Sequence, residues 1–290
     1  MTVLQKIRIG GVLIVLMIWV GMHPPANALW QAVPRFNPEG ILRAPPFEVA
    51  PSTSIPVRLD ESTVQDLAQI TATSAMIVDV ESGTTLFAKN PDLSVPPAST
   101  TKIMTAMVSA DHMNLDDETA FITIQQSKEV IGQSLRLNQA DSFRQLDMLK
   151  ILLISSGNDS ALTLALHHPD GYAGFVNEMN TKATELGLNG SSFKNPSGLP
   201  QEGHVSSARD MIVMARALLE YPWAREIVGS ASTIVQGSST RQYLIYSTNQ
   251  LLTQPANFPL NAVSQIKGIK TGWTEEAGEC LVTLVEIDGK

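Results

Sequence analysis

The 290-residue chain predicts a mixed α/β (α+β) fold, a sheet supplied from both ends of the folded part around a helical middle. Two β-rich runs open it in "SAMIVDVESGTTLFAKN", and "QIKGIKTGW" and "ECLVTLVEI" close it with β-branched and aromatic residues. Between them "RQLDMLKILLISSGNDSALTLAL", "YAGFVNEMNTKATELGL" and "ARDMIVMARALLE" carry apolar residues at helical intervals. With 43% apolar residues over this length, the chain can bury a large core.

In chain order, the first segment has Lys6 and Arg8, an apolar run from Ile9 to Met22, and then Ala26-Asn27-Ala28. A positive start, a short apolar stretch and a small-residue site are the layout of a signal peptide, so 1–28 is expected to direct export. The run is shorter than the ~20 residues a membrane-spanning helix needs, and removal after Ala28 is the favoured reading. Prolines recur through 29–61, which forbids a long helix or central strand and makes that segment an extended linker. The folded domain is expected over 62–290, starting at "STVQ", a capping-box pattern at Ser62. Glu81-Ser82-Gly83 supplies hairpin chemistry between the first two strands, and "TEEAG" divides the last two.

The net charge of -8 and the scattered lysines and arginines exclude nucleic acid as an expected partner. A single cysteine, Cys280, excludes an internal disulfide or a cysteine-based metal site, and its place in "ECLVTLVEI" reads as a buried strand position. His112, His167, His168 and His204 show no ligand spacing such as His-Glu-x-x-His, so no metal or other cofactor is implied.

The chemistry is concentrated in three short stretches. In "VPPASTTKIMTAMVSA", prolines lead into a helix with Ser99 in its first turn, where unpaired N–H groups and the positive dipole end gather. Lys102 returns to the same face one turn later, where its amine could serve Ser99 as a base if burial and a second cation depress its pKa. Ser-x-x-Lys alone is weak evidence, because the spacing should occur about once by chance in such a chain. It recurs at Ser191/Lys194 in a turn-rich loop and at Ser264/Lys267 entering a strand, neither opening an apolar helix. Alone, the Ser99 pair reads equally as a capping serine and a solvated lysine. "ISSGNDSA" adds Ser156, Gly157 and Asn158 in a tight turn, and "GIKTGWT" adds Lys270, Thr271 and Gly272 on a strand. Ser247-Thr248-Asn249 imitates the second of these and reads as a decoy.

Ser-x-x-Lys, Ser-Gly-Asn and Lys-Thr-Gly in this order resemble the penicillin-binding protein and serine β-lactamase superfamily. The flanks "PPASTTKIMTA", "LLISSGNDSALTLA", "SSFKNPSGL", "HVSSARDM" and "GIKTGWTEEAGECLV" are similar to low-molecular-weight D-alanyl-D-alanine carboxypeptidases, peptidase family S11, over roughly Ser74 to Ile287.

That resemblance implies a β-lactamase/transpeptidase-like fold, with a five-stranded antiparallel sheet flanked by helices and a cleft against a helical subdomain. It implies acyl transfer to Ser99 with Lys102 as proton acceptor and Ser156 relaying a proton to the leaving D-alanine. Asn158 would hold the substrate amide and the lysine; Lys270 and Thr271 would bind the terminal carboxylate. Gly272 would leave room for a peptide along the strand, and the backbone N–H groups of Ser99 and Trp273 would form the oxyanion hole. The implied partners are peptidoglycan stem peptides, with β-lactams as covalent inhibitors, in the periplasm or another extracytoplasmic envelope compartment. A D-alanyl endopeptidase and a β-lactam-binding module without turnover are the alternatives.

Glu185 in "ELGLN" imitates a class A β-lactamase signature but ends a helix, and Asp210 in "SSARDM" reads as a helix-supporting residue. The family continues past "EIDGK" with a further strand and a helix, so this sequence reads as lacking its final strand and helix. The strand "CLVTLVEI" would then keep one open edge. Peripheral membrane association would reside in a segment not in this chain.

Overall fold

The computed structural model describes residues 13–19, 70–80, 83–125, 130–254 and 264–287. The cleavage site, the proline-rich linker, the capping box at Ser62, Glu81 with Ser82, and 288–290 lie outside them. Among the described residues no helix is long and apolar enough to cross a membrane.

The expected architecture is present. A five-stranded sheet is built from β1 (Leu13–Trp19), β2 (Ser74–Asp79), β3 (Thr85–Lys89), β8 (Ser264–Thr274) and β9 (Gly278–Ile287), in the order β3-β2-β1-β9-β8. β2 and β3 form an antiparallel hairpin, as do β8 and β9. The middle strand differs from expectation. β1 runs parallel to both neighbours, with Leu13 opposite Ser74 on one side and Cys280 on the other. The sheet is therefore mixed rather than wholly antiparallel, and the side of β9 expected to be open is paired. The strand is the apolar run assigned to the leader; an uninterrupted run such as "LIVLMIW" also matches a strand at the centre of a sheet, and periodicity cannot tell these apart.

The helix α1 (Lys102–Asp111) continues a short 3-10 turn, Ala98–Thr101, that packs on β8 and β9. Every residue from Lys102 to Ser109 is buried, the polar Lys102, Thr105 and Ser109 among them. It packs against α2 (Gln145–Leu153), α3 (Asn158–Leu166), α4 (Gly171–Glu185) and α5 (Ala208–Leu219). Burial of Ile103, Met104, Met107 and Val108 contributes roughly 2 kcal/mol for each side chain. β2 is buried along its length because Met76 and Val78 join the main core while Ala75 packs with Ala72, Ile70 and Phe87 on the other face. Cys280 is buried on β9, as its sequence position implies.

The smaller elements were not legible beforehand: β4 (Phe121–Thr123) pairs with β5 (Ser142–Arg144), and β6 (Ser232–Gln236) with β7 (Gln242–Tyr246). Two short helices, α6 (Ala224–Val228) and α7 (Gln250–Thr253), complete the described chain. Ser207 caps α5 by accepting the Asp210 N–H, while the Asp210 carboxylate accepts from Gly190 N and Ser191 Oγ. Asp210 therefore supports a helix terminus, as expected. Glu185 is exposed at the end of α4.

Candidate active site

The three stretches meet where the 3-10 turn crosses the edge strand β8. Ser99 lies half-buried in that turn, and Lys102, the first residue of α1, is fully buried with its Nζ 2.9 Å from Ser99 Oγ. The same nitrogen lies 2.7 Å from Asn158 Oδ1 and 2.7 Å from the Ser197 carbonyl oxygen. Asn158 cannot turn its oxygen away, because its Nδ2 donates to the Ile131 carbonyl. These acceptors decide what a neutral lysine can do there. Both carbonyl oxygens only accept, so a neutral amine keeps its two N–H bonds on them and its lone pair toward the Ser99 hydroxyl, which can donate.

Electrostatics favours that neutral form. Burial holds the Lys102 pKa well below the ordinary lysine value, the charge of Lys270 lowers it further, and the buried carboxylate of Asp159 partly opposes them. Lys270 is itself buried, and burial brings it down to about 7. Its Nζ donates to the Thr271 carbonyl.

Gly272 has a tighter requirement than room for a peptide. A Cβ there would stand 2.7 Å from Ser99 N and 3.0 Å from Ala98 Cβ, so the missing side chain is what lets the Ser99 turn rest on the strand. Gly198 is constrained similarly, at φ 84° with a virtual Cβ 1.8 Å from Ala98 O. Two non-glycine residues at the site, Ala98 (φ 47°) and Ser156 (φ 61°), hold left-handed backbone, which costs about 1–3 kcal/mol each and clusters at functional sites. Ser156 is buried in the turn between α2 and α3; the Trp273 side chain is 67% exposed.

Sequence reasoning missed the loop 194–204. Asn195 Oδ1 accepts from the backbone of Ser197 and Gly198, and its Nδ2 donates to the Leu199 carbonyl. Thr105 Oγ1 donates to the Pro196 carbonyl at 2.6 Å. His204 closes the loop: its Nδ1 accepts from Lys194 N, which leaves its Nε2–H to donate to Thr101 Oγ1 at 2.8 Å. Burial and Lys194 lower its pKa to about 4, so it stays neutral. The loop thus fixes the Ser197 carbonyl on Lys102, and it lines a cavity of about 460 Å³ with Pro96, Pro97, Ala98 and Thr274. The decoy also has a place. Thr248 Oγ1 lies 2.5 Å from Thr271 Oγ1.

The family model described as D-alanyl-D-alanine carboxypeptidase, peptidase S11, matches residues 60–290. The chain belongs to this family. Among S11 relatives it is 36% identical over 233 residues to a D-alanyl-D-alanine endopeptidase of Escherichia coli K12, covering 79% of this chain and 72% of that one. It is 33% identical over 213 residues to the D-alanyl-D-alanine carboxypeptidase DacF of Bacillus subtilis, covering 72% of this chain and 53% of DacF, so it spans about half of that relative's length. Among solved structures, the Streptomyces K15 DD-transpeptidase superposes with a TM-score of 0.62 at 29% identity, over 69% of this chain and 79% of that one. An ampicillin-bound penicillin-binding protein D2 from Listeria monocytogenes gives 0.62 at 26%, over 74% and 84%. As an S11 member the chain is a serine peptidase.

The histidines of this S11 chain fall elsewhere. His112, at the far end of α1 and about 15 Å along the helix from Lys102, meets Glu178 at 2.9 Å, and His168 meets it at 2.8 Å. The Asp170 N–H donates to His168 Nδ1, which puts the ring proton on Nε2 facing the carboxylate, so this cluster is wired as hydrogen bonds. His167 Nδ1 bonds the Thr163 carbonyl oxygen.

Proposed function

We propose that this chain removes the terminal D-alanine from peptidoglycan stem pentapeptides through an acyl-enzyme on Ser99. The observation that carries the reading is Lys102, fully buried with its pKa held well below the ordinary lysine value, and with its Nζ 2.9 Å from Ser99 Oγ and 2.7 Å from two carbonyl oxygens that only accept. Ser99 Oγ attacks the penultimate carbonyl while its proton passes to Lys102 Nζ. The tetrahedral oxyanion is met by the Ser99 and Trp273 backbone N–H groups. Collapse breaks the peptide bond, with Ser156 relaying the proton to the departing amine, and water then hydrolyses the ester with Lys102 again as base. Lys270 and Thr271 hold the terminal carboxylate, and Asn158 holds the donor amide. β-Lactams would acylate the same hydroxyl, and the substrate places the reaction outside the cytoplasm.

Incubating the enzyme with a stem pentapeptide and measuring free D-alanine tests this reading. Release at a rate that rises with enzyme concentration is expected, and stable acylation by penicillin with no D-alanine from any peptide would overturn it. A second reading, cleavage of D-alanyl cross-links, is favoured by the 36% and 35% identity to endopeptidases of Escherichia coli and Pseudomonas aeruginosa. Assaying a cross-linked dimer beside the pentapeptide decides between them.

The buried cation predicts a pH dependence. Lys270, with its pKa at about 7, is an ammonium below that pH and loses its charge above it. A carboxylate-ended substrate therefore binds the enzyme best at or below neutrality. KM for the pentapeptide is expected to rise by up to about 50-fold between about pH 7 and pH 9, as the charged fraction falls from about a half to about a hundredth. A KM that stays flat across that range would remove the Lys270 ammonium from carboxylate recognition.

A further inference from the structure

Thr248 stands in the loop between β7 and α7 and touches both walls of the cleft. Its backbone N–H donates to the Ile154 carbonyl at 3.2 Å, directly before the Ser155–Gly157 turn, and its hydroxyl reaches Thr271 on β8. Its neighbours hold it there: Ser247 N donates to the Ala231 carbonyl, and buried Asn249 caps α7 by accepting the Leu251 N–H. The loop is therefore fastened on either side of Thr248, and the 2.5 Å hydroxyl pair is a built contact between two segments 23 residues apart.

We propose that Thr248 is a positioning residue for substrate carboxylate recognition, acting through the Thr271 hydroxyl. The proposal rests on the reading of Lys270–Gly272 as the carboxylate cradle. A threonine hydroxyl has one proton to give and two lone pairs to receive with. A carboxylate only accepts, so Thr271 must turn its single proton toward it. The bond between the two hydroxyls then runs one way, from Thr248 to Thr271, which leaves Thr271 a stronger donor. Without the Thr248 hydroxyl, the Thr271 proton has no fixed direction and its oxygen loses a donor.

The test measures acylation by a fluorescent penicillin, whose carboxylate occupies the same cradle, in Thr248→Val, Thr248→Ser, Thr271→Val and the Thr248→Val/Thr271→Val double variant. Thr248→Val is expected to lower the second-order rate constant roughly 5- to 20-fold, chiefly as a raised half-saturating concentration with the maximal rate kept within about twofold. Thr248→Ser should restore the parent value. In the Thr271→Val background, Thr248→Val should add less than about twofold, because its effect passes through Thr271. A parent-like rate in Thr248→Val, failure of serine to rescue, or equal losses in both backgrounds would each overturn the proposal. Penicillin acylation needs no D-alanine release, so failure of the proposed carboxypeptidase reaction registers separately.

Discussion

Ser99→Ala is expected to abolish covalent labelling by a fluorescent penicillin, because no other described hydroxyl both lies within 3 Å of the Lys102 amine and stands over Gly272. No ester can form without that oxygen. The variant should otherwise resemble its parent. Ser99 is half-buried, and Lys102 keeps the Asn158 and Ser197 oxygens, so one hydrogen bond is lost and the unfolding midpoint should move by no more than about 3 °C. Labelling at the parent rate in a folded Ser99→Ala protein would place the nucleophile elsewhere.

The second large effect belongs to Lys102→Arg. A guanidinium keeps its proton at any pH the protein survives, so the variant has no lone pair to receive the Ser99 proton. General-base loss costs about 10²- to 10⁴-fold, and displacement of the close-packed Asn158 and Ser197 oxygens adds to it. Raising the pH should not recover the rate. Acylation within tenfold of the parent, with circular dichroism showing a native fold, would remove Lys102 as the base.

The parts legible in the sequence were those with short-range signatures. Prolines before Ser99 and unbroken apolar spacing after it marked a buried helix start, and α1 is one. "ISSGNDSA" marked a turn between two helices, and α2 and α3 flank it. The β6–β7 hairpin was hidden because the buried Tyr243 and Ile245 alternate with Leu244 and Tyr246, which are just as apolar but exposed, erasing the period of two. β4 and β5, three residues each, are too short to carry a period. The run that forms β1 fits a leader as well as a strand, because a short apolar stretch satisfies both patterns.

At the site the same division holds. Side chains within motifs were nameable, but the Ser197 contact is made by a backbone carbonyl that no residue type encodes. Gly272 was assigned to the peptide's path, whereas the nearest obstacle to a side chain is the Ser99 amide. Thr248 was set aside because Ser-Thr-Asn looked like a chance copy of Ser-Gly-Asn. Only the fold brings it to Thr271.

The bonds on Lys102 also carry a consequence in time. Its partner Asn158 lies 56 residues downstream and Ser197 lies 95 residues downstream. At ribosomal rates, Ser99 emerges on the order of 5–20 s before the Ser197 carbonyl that lies 95 residues beyond Lys102. Throughout that interval Lys102 is exposed to water and protonated, and the hydroxyl beside it is an ordinary serine. On the proposed mechanism, nucleophilicity arrives with the last long-range contacts, so the nascent chain would need no blocking segment to be born inert, and acylation by penicillin would report completed folding of the cleft rather than the presence of its motifs.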